Sequence, residues 1–151
     1  MRRTGGPLVT LLLLALTGCG TQSDRWKDAR PATIPAAGVV TFHGEPLEGA
    51  VVVFHPTIPG GIGASALTDD EGKFELKTFP PELGAVPGTY SVSIMKTSVP
   101  EPAEGAEAVD DPEPVLVFSL IPEKYCAPEN SGLKAEIPDV GTDALMFELA
   151  D

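Results

Sequence analysis

The chain has 151 residues, with 22 acidic against 10 basic side chains and a formal net charge of −12. That acidity excludes nucleic acid and the anionic face of a membrane as expected electrostatic partners; scattered surface carboxylates that keep the protein soluble account for it. The length suits one domain with a modest core rather than two.

In chain order, Arg2 and Arg3 precede residues 8–16, "LVTLLLLAL". This apolar run is too short for a bilayer, which takes about 20 residues. It reads as a signal peptide over residues 1–18, not a membrane-spanning helix. Losing Arg2 and Arg3 with it takes the net charge from −12 to −14. Directly after the run comes "LTGC", Leu16 to Cys19. This stretch resembles the lipobox of bacterial lipoproteins. The resemblance implies cleavage before Cys19, with diacylglycerol on its sulfur and an acyl chain on the new amine. Gly18 is small enough to admit a peptidase, and the Cys19 thiol is the good nucleophile there. Several chains at roughly 0.8 kcal/mol per buried methylene make a lasting anchor. Gly20 follows, so no Asp-type retention signal for the inner membrane is visible. The expected location is the cell envelope, lipid-anchored to a membrane at Cys19, on its periplasmic or outer-surface face. Cys126, the one remaining cysteine, then has no partner within the chain; a free thiol is expected, with intermolecular pairing as the alternative.

Residues 20–35, "GTQSDRWKDARPATIP", are polar and without period, so 19–36 reads as a tether carrying the lipidated cysteine. Trp26 within it is read as an ordinary tether residue rather than an interfacial anchor. From residue 37 the pattern changes to short β-prone runs cut by Gly and Pro. Strands are expected at 38–42, at 50–56 (nearly continuous and apolar, hence buried on both sides), at 64–69 and 73–78 around a turn, and at 89–96. In the last of these, Tyr90, Val92 and Ile94 alternate with Ser91 and Ser93, the mark of a half-buried strand. Residues 97–114 are rich in Pro, Glu, Ala and Asp and read as a flexible acidic insertion. "VLVFSLIP" (115–122) is apolar again, and strands are expected at 132–137 and 144–150, with Leu145, Phe147 and Leu149 on one face. No stretch after residue 18 has a helical period. Some seven short strands argue for an all-β sandwich over residues 37–151.

"GVVTFHGEPLEGAVVVFHP", "ALTDDEGKFELKT", "GAVPGTYSVSIMK", "LIPEKY" and "SGLKAEI" resemble, in that order, the carboxypeptidase regulatory-like domain of the transthyretin-like (prealbumin-like) sandwiches. The match covers roughly residues 37–97 and 119–149. It implies a seven-stranded Greek-key β-sandwich and no established activity, since such domains are read as structural, adhesive or carbohydrate-associated modules. The acidic insertion and Cys126 depart from the pattern.

"LTDDEGKFEL" (67–76) raises the one question of metal chemistry. An EF-hand loop with Gly72 at its sixth position would start at Leu67 and end at Thr78, where oxygen donors are required, and both fail. A tight hairpin turn needs only Gly at its sharp point and tolerant acids beside it. Weak calcium binding by Asp69, Asp70 and Glu71 is the runner-up, as a calcium-assisted adhesion module. His43, His55, Tyr90 and Tyr125 match the count of an intradiol-dioxygenase iron set but not its spacing. No serine lies in a nucleophile elbow, and "PGGIG" lacks the lysine of a phosphate loop. No catalytic residue and no cofactor are expected. The predicted function is that of a non-catalytic envelope module with a protein, polymer or glycan partner; the scarcity of aromatics favours protein.

Overall fold

The computed structural model describes residues 29–98 and 118–151. The predicted signal peptide, Cys19, Trp26, residues 99–114 of the insertion and the apolar residues 115–117 lie outside them. The chain divides into two compact units, and the second, Pro31–Asp151, carries every element below.

Two four-stranded sheets dominate. In the first, β1 (Ala36–Phe42) lies between β10 (Thr142–Leu149) on one side and β2 (Glu45–Pro46) and β5 (Lys73–Glu75) on the other. The second runs in the order β4 (Ala64–Leu67), β3 (Val51–Pro56), β6 (Gly88–Met95), β9 (Leu133–Ile137). A small ladder joins β7 (Thr97–Ser98) to β8 (Phe118–Ser119). The fold is all-β, and seven of its ten described strands have three or more residues. The pairs are antiparallel except β1 with β10, which is parallel and sets Val40 beside Phe147 and Phe42 beside Leu149.

Period-two alternation builds one core shared by both sheets. Val40, Phe74, Phe147 and Leu149 enter it from the first sheet, and Val52, Phe54, Tyr90, Val92, Ile94 and Ile137 from the second. Phe54 sits among three rings, 5.7 Å from Tyr90, 6.0 Å from Phe147 and 6.3 Å from Phe74, centroid to centroid. Edge and tilted geometries of this kind add about 0.5–1.5 kcal/mol per pair beyond the area buried. Gly38 permits the close packing of β1 beneath them. A Cβ there would lie 2.6 Å from Leu145 Cβ and 2.7 Å from Phe74 Cζ.

Two tyrosines fasten connections to the core. Tyr90 buries its ring and donates its hydroxyl to Val86 O at 2.6 Å. Tyr125 donates to Ala150 O at 2.9 Å and accepts from Ala150 N at 3.0 Å, which ties the end of β10. Tyr125 belongs to a turn of 3-10 helix, Glu123–Cys126, followed by the one-turn helix α1 (Pro128–Ser131). Ser131 Oγ donates to Val92 O at 2.6 Å and so docks α1 on β6.

The strand positions follow the alternation in the sequence, but several details differ. Residues 51–56 are not buried on both faces; Val52 and Phe54 are fully buried while Val51 is exposed and Val53 and His55 are half-buried. The compact unit includes residues before 37: Ile34 exchanges backbone hydrogen bonds with Ala85 at 2.9 Å each way, and Ala36 is core. Thr97 and Ser98, assigned by sequence to the insertion, form β7. Of the apolar run 115–122, Phe118 and Leu120 are exposed and Ile121 alone of the described apolar residues is buried. The two helical turns at 123–131 have no counterpart in the sequence reading.

Candidate functional site: a groove where the sheets meet

The stretch 67–76 links the sheets. Its two arms keep hairpin register at both ends: Asp69 N donates to Lys73 O at 2.9 Å, and Ser65 and Lys77 exchange bonds of 3.1 and 2.9 Å. Between these points the arms part. Leu67 pairs with Val51 in the second sheet, whereas Glu75 pairs with Ala37 in the first. The expected hairpin is therefore splayed, because each arm finds a better ladder partner in a different sheet.

The turn itself is held locally. Asp69 Oδ1 accepts from Glu71 N at 3.0 Å and Lys73 N at 2.8 Å, and Asp69 O accepts from Gly72 N at 3.0 Å. An aspartate folding back on the following amides is the side-chain equivalent of a backbone turn. Lys73 bonds Glu71, and this partner's hydrogen bond and charge raise the pKa of the ammonium above 10.5. Gly72 O accepts from Val40 N at 2.8 Å, which docks the turn on β1. Gly72 has φ 72°, and a Cβ there would lie 2.5 Å from Val40 O. Glycine is required on both counts.

This arrangement bears on the calcium reading of Asp69, Asp70 and Glu71. One oxygen of Asp69 is engaged by two amides, and Glu71 is paired with Lys73. No three His, Cys, Asp or Glu side chains among the described residues gather as an ion site. The dioxygenase candidates are likewise engaged separately. His43 meets Asp151 at 3.2 Å, His55 Nε2 lies 2.9 Å from Ser93 Oγ, and Tyr90 and Tyr125 bond backbone as described above. Cys126 is a free, half-buried thiol. Cys19 lies outside the described residues.

The splayed hairpin borders a groove of about 790 Å³. Ala37, Val39, Val51, Leu67 and Phe74 give it an apolar lining, and Asp69, Lys73, Glu75, Lys77 and Asp143 supply charges of both signs. Leu67 stands 65% exposed. It begins a row of directly opposed residues, Leu67, Val51 and Met95, across the outer face of the second sheet. All three are exposed apolar side chains. Sequence reasoning missed this row. The signal was present in the parity of Val51 against Val52 and Phe54, and of Leu67 against Ala64 and Ala66, but reading 50–56 as doubly buried hid it. Hydroxyl groups were also missed: Thr68 Oγ1, buried, accepts from Ala50 N at 2.8 Å and donates to Leu47 O at 2.5 Å.

Compared with known proteins, the chain matches no family model, no curated protein and no solved structure.

Proposed function

We propose that the protein is a lipid-anchored module of the cell envelope that acts by binding rather than by catalysis, with Cys19 as the lipidated residue and a transthyretin-like, Greek-key β-sandwich of the carboxypeptidase regulatory-like kind as its folded part. The anchor rests on the "LTGC" that follows the apolar run of residues 8–16. The domain assignment is supported by two sheets closing on one core at the expected strand positions.

One observation carries the binding role: the open groove of about 790 Å³, whose apolar lining includes exposed Leu67 and Val51 and continues into exposed Met95. A contiguous apolar patch rimmed by charge is the ordinary form of an interaction surface. The preferred partner is a protein, with envelope polymer or glycan as the other classes; flat aromatic platforms for sugar rings are scarce because Phe54, Phe74, Phe147 and Tyr90 are all core.

A photo-reactive residue placed at Leu67 tests this in native envelopes. A discrete cross-linked product is expected, along with a diacylglyceryl mass on Cys19. No product at Leu67, Val51 or Met95 would remove the binding reading, and an unmodified Cys19 would remove the anchor.

A further inference from the structure

We propose that the free edge of β10 is a strand-addition site for an extended segment of a basic partner protein. This rests on the binding-module reading above and gives that module a second contact surface, adjoining the groove at Asp143.

The backbone direction of β10 is fixed by its bonds. Leu149 O accepts from His43 N at 3.0 Å, so the odd residues Leu145, Phe147 and Leu149 turn their amide and carbonyl groups toward β1. On β1, Val40 N donates instead to Gly72 O, on the opposite side, as that register requires. The even residues of β10 therefore turn their groups outward. At the two ends side-chain hydroxyls already meet them: Thr142 Oγ1 accepts from Ala144 N at 3.2 Å, and Tyr125 closes on both groups of Ala150. Between these ends Met146 and Glu148 present outward N–H and C=O groups, and among the described residues β10 has a ladder neighbour on the β1 side alone. Met146 is 82% exposed.

Edge strands are ordinarily protected by Lys, Pro, a bulge or a covering element. β10, "TDALMFEL", has neither Lys nor Pro, and its irregularity falls before Leu145, leaving 145–149 in unbroken register. An added strand would complete the row of backbone bonds, the mode in which main chain supplies affinity and alternate side chains supply choice.

Charge selects the occupant. Asp143 and Glu148 are exposed, and no basic residue lies on β10. A second copy would bring four such carboxylates to one ladder between chains of net charge −12, and like charges in facing strands repel. A strand alternating basic and apolar residues answers both faces of β10: cations beside Glu148 on the outer face, and apolar side chains beside Leu145 and Phe147 on the core face.

The test uses the detergent-solubilised full chain and a short synthetic peptide of alternating lysine and valine, with a glutamate–valine peptide as control. Residue-resolved amide exchange and fluorescence anisotropy are the readouts. Binding of the lysine peptide, weakening with salt and protecting the Met146 and Glu148 amides, is expected. Met146→Pro removes an outward N–H and leaves the bonds to β1 intact, so it is expected to weaken binding by about tenfold or more with the fold retained. Glu148→Lys, which keeps the backbone, is expected to weaken it about two- to fivefold and serves if the proline variant does not fold. Equal binding of both peptides, undiminished binding by a folded Met146→Pro, or dimerisation through β10 in place of peptide binding would overturn the proposal. Those results leave cross-linking at Leu67 unchanged, so failure here is separable from failure of the binding-module reading.

Discussion

Replacing Thr68 by valine preserves the outline of the side chain and deletes one hydroxyl. Thr68 is 3% exposed, and its Oγ1 joins two backbone groups in the connection from β2 to β3. Without it, Ala50 N loses the acceptor at 2.8 Å and Leu47 O loses the donor at 2.5 Å, in a place where Ala50 is fully buried. A buried group left without its partner costs about 1–3 kcal/mol. The donor is the stricter case, because a carbonyl tolerates partial satisfaction better than an amide. A loss of about 2–4 kcal/mol follows, or a melting temperature lower by about 4 °C per kcal/mol for a unit of this size. Thr68→Ser keeps both bonds and gives up one methyl group, about 1 kcal/mol. Urea unfolding followed by far-UV circular dichroism should order the proteins wild type, serine, valine, with an unchanged denaturant slope. A valine variant as stable as the serine variant would show that the hydroxyl bridge does not hold this connection, and the reasoning would fail.

Gly72→Ala should destabilise by more than about 2 kcal/mol in the same assay, since a left-handed φ and a Cβ 2.5 Å from Val40 O act together; an alanine variant within about 0.5 kcal/mol of wild type would contradict the docked turn. Burial raises the Tyr90 phenol above its ordinary 10.0. Its folded pKa exceeds the unfolded one, so the associated stability is full below pH 10 and falls as pH rises toward the folded value. Thermal melts across that range should show the decline, and Tyr90→Phe should flatten it. Millimolar calcium is expected to leave the melting temperature of the wild type unchanged; a rise abolished by Asp69→Asn would restore the acidic turn as an ion site.

The legible part of the fold was its local part. Alternation placed β6 and β10 and identified Tyr90, Val92, Ile94, Phe147 and Leu149 as core, because period two reports directly which face a side chain takes. Gly72 announced the turn for an equally local reason. What failed depended on partners distant in sequence. Nothing in 64–78 says that Leu67 prefers Val51 while Glu75 prefers Ala37, so the local pattern implies a closed hairpin and gives no sign of the groove between its arms. The same blindness made Val51 look buried. The turns at 123–131 are too short to show a period, although Pro128 at the start of α1 and Gly132 at φ 68° just after it were a usable pair of boundary signals. The outward groups of Met146 and Glu148 required knowing that β10 lies parallel to β1, a choice that side-chain pattern does not encode.

That parallel pairing carries a consequence for how the protein is made. β1 and β10 stand about a hundred residues apart in the chain, yet each supplies the other's ladder. A polypeptide emerging from its N-terminal side must leave the β10-facing groups of Val39 and Thr41 open until nearly all the rest has arrived, and a closure over that span is slow as well as entropically costly. The first sheet therefore closes only when the last strand has been made, and until then the chain stays open and threadable along that edge.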